Sequence, residues 1–270
     1  MVNYKEKFIF IAGPCIIEDK DLTLDIAFYL KDVASRYPVS FIFKASFDKA
    51  NRTAIKSFRG PGVTQGLSIL KEVKEKVGVP ILSDVHWPDQ VRVCKDVLDV
   101  IQIPAFLCRQ TDLVLEAAKT HKIINIKKGQ LLAPQDVRYI VEKVESVGNK
   151  NILLTERGAS FGYNNLVVDF RSFLIMKKLG YPVIYDATHS LQRPSAQEGV
   201  SGGDREFVFP LSLSAAACGV DGLFMEVHPR PQKALSDKHT SYPLEKVEDL
   251  IKKVLEVRNV TKQGELNSQR

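Results

Sequence analysis

Eight short runs of β-forming residues, each followed by a segment with helical periodicity, constrain the fold of this chain more than any other feature. Most runs are continuously apolar, which is typical of strands buried on both faces. Segments such as 67–77, 137–147 and 244–255 carry apolar residues at helical steps of three and four. The predicted strands are Phe8–Ala12, Ser40–Ala45, Pro80–Val85, Val100–Pro104, Ile123–Lys127, Ile152–Thr155, Pro182–Tyr185 and Gly222–Glu226.

Strand and helix alternating eight times predict an α/β fold, a single-domain (β/α)₈ TIM barrel. The alternative is an open doubly wound sheet, which usually has a glycine-rich phosphate turn after its first strand. Gly13-Pro14-Cys15 is not such a turn. No linker or change of composition divides the chain, so we expect one catalytic domain over 1–270. Its polar end, roughly 260–270, is expected to fray.

The composition favours a cytoplasmic protein with small anionic ligands. No apolar run approaches the ~20 residues of a membrane helix, and the polar first residues predict no signal peptide. The four cysteines are scattered, which fits neither a zinc finger nor a secreted disulfide framework. Although the net charge is +6, many lysines and arginines sit singly at strand ends and are not gathered in one run, so we expect no nucleic acid and no membrane as partners.

Four residues of metal-ligand type follow predicted strands. Cys15, His189 and Glu226 stand at strand ends, and Asp237 lies in the loop beyond Glu226. The carboxyl ends of barrel strands face one mouth, so these residues are expected to meet there. Taken singly, a cysteine or histidine is more often structural, but the joint placement favours one divalent ion. The mixed ligand set leaves zinc, ferrous iron and manganese open.

A second set of residues suits anions. The loop after the second strand contains Lys44, Lys49, Asn51, Arg52 and Thr53, which can orient a phosphate, although a solvated basic loop has the same composition. Lys127, Lys128 and Arg157 follow the fifth and sixth strands, where buried cations are costly without an anion. The other polar residues at or beyond predicted strand ends are Asp84, His86, Gln102, Arg109 and Asp186.

Two further segments have more than one interpretation. The glycine-containing loop 193–203 is either a lid over the mouth or a flexible surface loop. Phe106 and Arg109 follow the fourth strand and could reach the site or an adjoining subunit.

Several long segments together carry a family pattern: Gly13–Cys15, Lys44–Arg52, Ser57–Gly60, Gln102–Leu113, Lys127–Gln130, Thr155–Gly158, Phe161–Arg171, Asp186–Ser190, Phe224–Pro229 and Ala234–Asp237. Over nearly its whole length the chain resembles the 3-deoxy-D-manno-octulosonate 8-phosphate synthases. The resemblance implies a homotetrameric (β/α)₈ barrel enzyme of lipopolysaccharide biosynthesis. Such an enzyme condenses phosphoenolpyruvate with D-arabinose 5-phosphate and water and releases inorganic phosphate.

The resemblance also implies roles for individual residues. Members of the family that need no metal carry Asn at the position of Cys15, so this chain resembles the metal-dependent class, with His189, Glu226 and Asp237 matching its other ligands. His189, Asp237, Lys128 and Asp84 are expected to be catalytic, and which group moves protons stays open. His86 is expected to contact substrate. The implied phosphoenolpyruvate contacts are Lys44, Lys49, Gln102, Lys128, Arg157 and His189. The implied sugar-phosphate contacts are Asn51, Arg52 and Thr53, with Arg109 reaching into a neighbouring subunit.

Three other functions remain to be distinguished. The 3-deoxy-D-arabino-heptulosonate 7-phosphate synthases use erythrose 4-phosphate and share the barrel and the ligand types. They carry Lys-Pro-Arg-Thr-Ser in the second-strand loop, where this chain has Lys49-Ala-Asn-Arg-Thr53. A Schiff-base aldolase would use Lys127 or Lys128 as its nucleophile. A non-catalytic sugar-phosphate-binding protein would not require the four metal ligands.

Overall fold

The computed structural model describes residues 7–197 and 200–268, and its strands and helices alternate along the chain. The eight α-helices of the described residues are α1 (Lys20–Ser35), α2 (Val63–Val77), α3 (Pro88–Cys94), α4 (Thr111–Lys119), α5 (Val137–Glu145), α6 (Arg171–Lys177), α7 (Val208–Ala217) and α8 (Val247–Ser268). The strands are β1 (Phe8–Gly13), β2 (Val39–Lys44), β3 (Ile81–Asp84), β4 (Val100–Ile103), β5 (Ile123–Lys127), β6 (Ile152–Glu156), β7 (Ala159–Ser160), β8 (Leu166–Val167), β9 (Val183–Asp186), β10 (Gln192–Gln197), β11 (Val200–Gly203), β12 (Gly222–His228) and β13 (Tyr242–Pro243).

Eight of these strands form a closed parallel barrel in the order β1-β2-β3-β4-β5-β6-β9-β12. The barrel closes because β12 also pairs with β1, from Ile9 opposite Gly222 to Gly13 opposite Glu226. The predicted (β/α)₈ fold is confirmed, and each predicted strand agrees with an observed one to within two residues at either end. The open doubly wound sheet is excluded by this closure.

Alternate residues of each barrel strand belong to two separate hydrophobic layers. In β1, Ile9 and Ile11 join a small cluster to which all eight barrel strands contribute, which is the barrel interior. Phe8 and Phe10 join the much larger cluster between the barrel and its helices. This alternation follows from the two-residue repeat of a strand. It explains why the strands read as continuous apolar runs, since both faces are buried.

Two hairpins lie outside the barrel. Strands β7 and β8 pair after β6, and β10 pairs antiparallel with β11 after β9. The predicted lid segment 193–203 is therefore largely a β-hairpin, and residues 198 and 199 lie outside the described residues. Whether this hairpin closes over the mouth stays a prediction.

The last helix, α8, continues to Ser268, so the described part of the 260–270 tail is helical. Fraying of this tail in solution stays a prediction, and residues 269 and 270 lie outside the described range. No helix within 7–197 and 200–268 is both long and apolar enough to cross a membrane.

We predict that Gly222→Ala strongly destabilises the barrel. A Cβ atom at this position would lie 2.4 Å from the Ile9 carbonyl oxygen at the closing β1–β12 pair. Such overpacking costs about 3 kcal/mol, because the strand spacing cannot relax. Gly180→Ala is the control: its Cβ would meet open space, and its positive φ costs about 1 kcal/mol. Equal unfolding midpoints for the two variants in denaturant would contradict this assignment.

Candidate functional site

The inward-facing positions above the apolar layer carry the polar groups of the barrel mouth. Each lies two residues after a member of the inner cluster, as Lys44 follows Ile42 and Glu226 follows Phe224. Because side chains alternate along a strand, these groups point into the same space. The inward polar groups two residues beyond the apolar layer are Lys44, Asp84, Gln102, Asn125, Thr155, Asp186 and Glu226, and Lys127 lies two residues beyond Asn125.

Two fully buried carboxylates organise the cations of the mouth. Asp186 lies 2.5 Å from Lys127 Nζ and 2.8 Å from His189 Nδ1. Glu226 lies 2.6 Å from Lys44 Nζ and 3.3 Å from His189 Nε2. The His189 ring therefore bridges the two carboxylates. Buried charges of this kind are tolerated only when they are paired.

These contacts determine the protonation states. Burial raises the pKa of Glu226, but His189 and Lys44 outweigh it and hold that pKa well below its usual range. Burial likewise raises the pKa of Asp186, and His189 and Lys127 reverse the effect. Burial lowers the pKa of Lys127 to about 8, although Asp186 opposes the shift. Both carboxylates are therefore ionised at neutral pH.

The Phe224 ring lies beneath the cations. Lys127 Nζ lies 3.0 Å from the ring centroid, and Lys44 Nζ lies 5.7 Å from it. The electron-rich ring face stabilises ammonium groups that have lost part of their hydration. Phe224 thus contributes to both the apolar interior and the charged mouth.

The predicted metal ligands come together at this mouth. The ligand atoms of Cys15, Glu226 and Asp237 all lie within 4.8 Å of one another. His189 Nε2 lies 3.7 Å from Asp237 Oδ2, in addition to its contact with Glu226. Glu226 Oε2 is buried and has no hydrogen-bond partner among the described residues, so it is available as a ligand. Cys15, Glu226 and Asp237 therefore form a possible metal-ligand group, and His189 lies beside two of its members.

The environment of Cys15 fits a bound cation. Burial, together with the carboxylates of Asp237 and Glu226, raises the pKa of the Cys15 thiol well above its ordinary value. A thiolate at this position therefore needs a cation beside it, and a divalent ion would supply one. Cys15 Sγ lies 3.0 Å from Ser236 Oγ and 3.1 Å from Asp237 Oδ2. Sequence reasoning missed Ser236, which also accepts a hydrogen bond from Arg52 Nη1.

A cavity of about 510 Å³ opens above this cluster. Among its charged lining residues, cations outnumber carboxylates by six to three, which favours anionic ligands. The predicted loop residues Lys49, Asn51, Arg52 and Thr53 line it. The other charged lining residues are Lys44, Lys127, Arg157, Lys238, Asp84, Asp186 and Asp237.

Arg157 presents a free donor at this cavity. Its Nη2 donates to Gln192 Oε1 (2.7 Å), and Gln192 Nε2 donates to Asp237 Oδ1 (2.8 Å). Its Nη1 is buried with no hydrogen-bond partner in the part of the chain that the structure describes. Burial lowers the pKa of Arg157, yet a guanidinium stays charged at neutral pH. An anion in the cavity would satisfy this donor.

Asp84 lines the cavity, whereas His86 lies behind it. His86 Nε2 lies 3.0 Å from Asp84 Oδ2, and the Ser46 hydroxyl donates to Asp84 Oδ1. Burial lowers the pKa of His86, but Asp84 outweighs it and raises that pKa. His86 is thus placed to orient Asp84, and the predicted direct contact of His86 with substrate stays a prediction.

The structure brings Lys127, and not Lys128, to the cavity. Lys128 Nζ lies 3.4 Å from Glu156 Oε1 and 3.2 Å from the Leu132 carbonyl oxygen, on the outer side of the barrel. Lys127 is therefore the lysine of this pair that lines the cavity, and the expected contact of Lys128 with substrate stays a prediction. The physical reason is that successive side chains of a strand point to opposite faces. Ile123, Asn125 and Lys127 are two residues apart and share the inner face, whereas Lys128 is one residue further on.

Arg109 does not line the cavity of its own chain. Its side chain is exposed, and Phe106 at the cavity rim is 67% exposed. The expected contact of Arg109 with a neighbouring subunit stays a prediction.

Comparison with known proteins identifies relatives along nearly the whole chain. A family model described as the DAHP synthetase I family matches residues 3–263. A protein of Desulfosudis oleivorans is 58% identical over 251 residues, 93% of this chain and 90% of that protein. A protein of Desulfatibacillum aliphaticivorans is 55% identical, over 93% and 92% of the two chains. One of Geobacter sulfurreducens is 52% identical, over 94% and 93%. All three are named 2-dehydro-3-deoxyphosphooctonate aldolase.

We predict that the two adjacent lysines differ in effect when each is replaced by Met. Lys127→Met weakens phosphoenolpyruvate binding at least about tenfold, because a charged donor leaves the cavity. It also lowers the free energy of unfolding, since the buried Asp186 loses one of its cations. Lys128→Met leaves binding nearly unchanged but lowers the free energy of unfolding by about 3 kcal/mol, since Glu156 loses its buried cation. Titration calorimetry and denaturant unfolding measure the two effects. If only the Lys128 variant bound phosphoenolpyruvate more weakly, Lys128 and not Lys127 would be the lysine that contacts the substrate.

Proposed function

The chain belongs to the DAHP synthetase I family, and we propose that it catalyses the reaction for which its relatives are named. It condenses phosphoenolpyruvate with D-arabinose 5-phosphate and water, giving 3-deoxy-D-manno-octulosonate 8-phosphate and inorganic phosphate. The observation that carries this proposal is one cavity lined by two groups of anion-binding residues and by Asp237, which also belongs to a possible metal-ligand group. Names shared by relatives more than 50% identical support the same activity.

Phosphoenolpyruvate binds at the deep end of the cavity. Lys127, Arg157, Lys44 and Gln102 supply ammonium, guanidinium and amide donors that its carboxylate and phosphate require. Arg157 Nη1 has no hydrogen-bond partner among the residues that the structure describes, and a bound anion that reaches it would supply one. Fixing both anionic groups places the methylene carbon for attack, which supplies a proximity effect.

The sugar phosphate binds at the rim, in the loop after β2. Asn51, Arg52 and Thr53 line the cavity there, and Arg52 is held by Ser236 and by the Leu235 carbonyl oxygen. The phosphate of an aldose phosphate bound by this loop directs its aldehyde toward the deep end. The length of the sugar then decides whether the aldehyde reaches the methylene carbon.

One divalent ion, zinc, ferrous iron or manganese, would be held by Cys15, His189, Glu226 and Asp237. When bound, it would polarise the aldehyde oxygen of the sugar. Asp186 keeps the His189 ring in the orientation that this role requires, through its contact with Nδ1. Gln192 restrains Asp237 in the same way.

The bond changes balance without a further reactant. The methylene carbon of phosphoenolpyruvate forms a bond to the aldehyde carbon, whose oxygen gains a proton. Water adds to the former enol carbon and loses one proton. The bond from that carbon to the phosphate oxygen then breaks, the added hydroxyl becomes the carbonyl of the product, and its proton goes to the released phosphate. Asp84, His189 and Asp237 stand beside this space and are the candidates for moving these protons.

The proposal includes a homotetramer in the cytoplasm. The exposed Phe106 and Arg109 beside the cavity rim support a subunit contact at that position. Sedimentation analysis of the wild type tests for a tetramer, and Arg109→Ala should assemble normally. A kinetic assay of this variant should show a raised KM for the sugar phosphate.

We predict that purified protein releases phosphate from phosphoenolpyruvate when D-arabinose 5-phosphate is present. Erythrose 4-phosphate, one carbon shorter, supports at least about tenfold lower kcat/KM, because a misplaced aldehyde loses the proximity effect. A phosphate-release assay with each aldose phosphate measures the ratio. Higher kcat/KM with erythrose 4-phosphate would assign the chain to heptulosonate synthesis instead.

Removal of metal is predicted to abolish turnover, and zinc, ferrous iron or manganese is predicted to restore it. Cys15→Ser lowers the affinity for metal by more than about tenfold, because the soft thiolate ligand is lost. Elemental analysis after dialysis measures bound metal, and the phosphate assay measures turnover. Full activity in protein shown to be metal-free would refute the metal assignment.

Arg52→Ala is predicted to raise the KM for the sugar phosphate while changing kcat little, because Arg52 binds a group remote from the reacting carbons. Lys238→Ala, at another cationic lining position, serves as the control for a general loss of positive charge. An unchanged KM together with a large fall in kcat would contradict the role of Arg52.

A further inference from the structure

Three buried side chains form a hydrogen-bonded relay across neighbouring barrel strands. The Thr155 hydroxyl of β6 donates to Asn125 Oδ1 of β5 (2.6 Å). Asn125 Nδ2 donates to Gln102 Oε1 of β4 (2.9 Å). Asn125 and Thr155 are fully buried, whereas Gln102 lines the cavity. The relay therefore runs from inside the barrel to the proposed phosphoenolpyruvate subsite.

The direction of the relay decides which face Gln102 presents. Its carbonyl oxygen is engaged by Asn125, so its amide group is the part left for the cavity. No hydrogen bond of Gln102 Nε2 is found within residues 7–197 and 200–268. An amide group carries two donors, and this one stands among Lys127, Arg157 and Lys44 at the deep end.

The opposite orientation of the Gln102 side-chain amide would weaken the binding of an anion in the cavity. A Gln102 turned by half a rotation would direct its carbonyl oxygen at the carboxylate or phosphate of an anion, replacing a hydrogen bond with a repulsive contact. An isolated glutamine has little preference between the two orientations. In this structure the preference comes from the relay itself: the Thr155 hydroxyl donates to Asn125 Oδ1, so Asn125 Nδ2 is directed at Gln102, whose carbonyl oxygen accepts from it.

We propose that Asn125 and Thr155 are positioning residues that hold Gln102 with its amide donors facing the phosphoenolpyruvate anion. This inference rests on the proposed function for the identity of the anion. It adds residues whose side chains touch neither substrate nor metal ligand, and it makes affinity for phosphoenolpyruvate depend on a hydroxyl inside the barrel.

The test compares Thr155→Val with Thr155→Ser. Val keeps the shape but removes the hydroxyl, so the KM for phosphoenolpyruvate should rise about tenfold, the factor associated with one hydrogen bond. The KM for the sugar phosphate should stay unchanged. Ser keeps the donor and should restore the low KM. If the Val variant does not fold, Thr155→Cys replaces it: a thiol is a much weaker donor than a hydroxyl, so the KM for phosphoenolpyruvate should rise by a smaller factor than in Val but above that of Ser.

A matched control separates positioning from general destabilisation. Thr23 of α1 is also buried, and its hydroxyl donates to the Asp19 carbonyl oxygen (2.6 Å). Thr23→Val removes a buried hydroxyl remote from the cavity and should lower the thermal midpoint without changing either KM. A rise in the phosphoenolpyruvate KM of this control would remove the support for a specific relay.

A double-mutant cycle decides whether Thr155 acts through Gln102. In a Gln102→Leu background, adding Thr155→Val should raise the phosphoenolpyruvate KM no further, because the group that the relay orients is absent. Additive effects would overturn the proposal, as would an unchanged KM in folded Thr155→Val. Failure of the wild type to release phosphate would refute the proposed function instead, so the two failures are distinguishable.

Discussion

The structure of the barrel mouth depends on neighbouring cations that neutralise two buried carboxylates, Asp186 and Glu226. Each lies on a different strand, and His189 contacts both, while Lys127 and Lys44 each contact one. A buried charge without a partner is strongly destabilising, so no member of this group can be removed without exposing another to that penalty. The catalytic mouth is therefore also a structural unit, and its side chains are positioned before any ligand binds.

Barrel closure makes this compensation possible. Glu226 and Asp186 lie on β12 and β9, and Lys44 on β2 reaches Glu226 only because β12 pairs with β1, which pairs with β2. The apolar layer below excludes water, which strengthens every charge interaction above it. Phe224 joins the two layers, since its ring fills the interior and its upper face contacts Lys127. Arg157 and the cations of the loop after β2 are not needed to neutralise these two carboxylates, so they are available to bind anionic substrates.

Much of the site could be inferred from residue types at strand ends. Cys15, Glu226 and Asp237 were expected to meet, and their ligand atoms do lie together. Lys127 and Lys128 show the limit of that approach, because both follow the same strand and have the same chemistry. Counting in steps of two from Ile123 would have selected Lys127. Ser236, Asn125 and Thr155 carried no comparable signal, because small polar residues are common in loops and strands and their role depends on which atoms they contact.

The sequence by itself determined the alternation of strand and helix, the apolar character of both strand faces and the residue types available at the carboxyl ends, because these depend on local periodicity and composition. Only the tertiary structure decided which lysine of an adjacent pair enters the cavity, which amide face Gln102 presents and which carboxylate each cation neutralises. Those choices depend on contacts between strands far apart in the chain. Their geometry exists only once β12 has paired with β1 and every side chain has a fixed inward or outward direction.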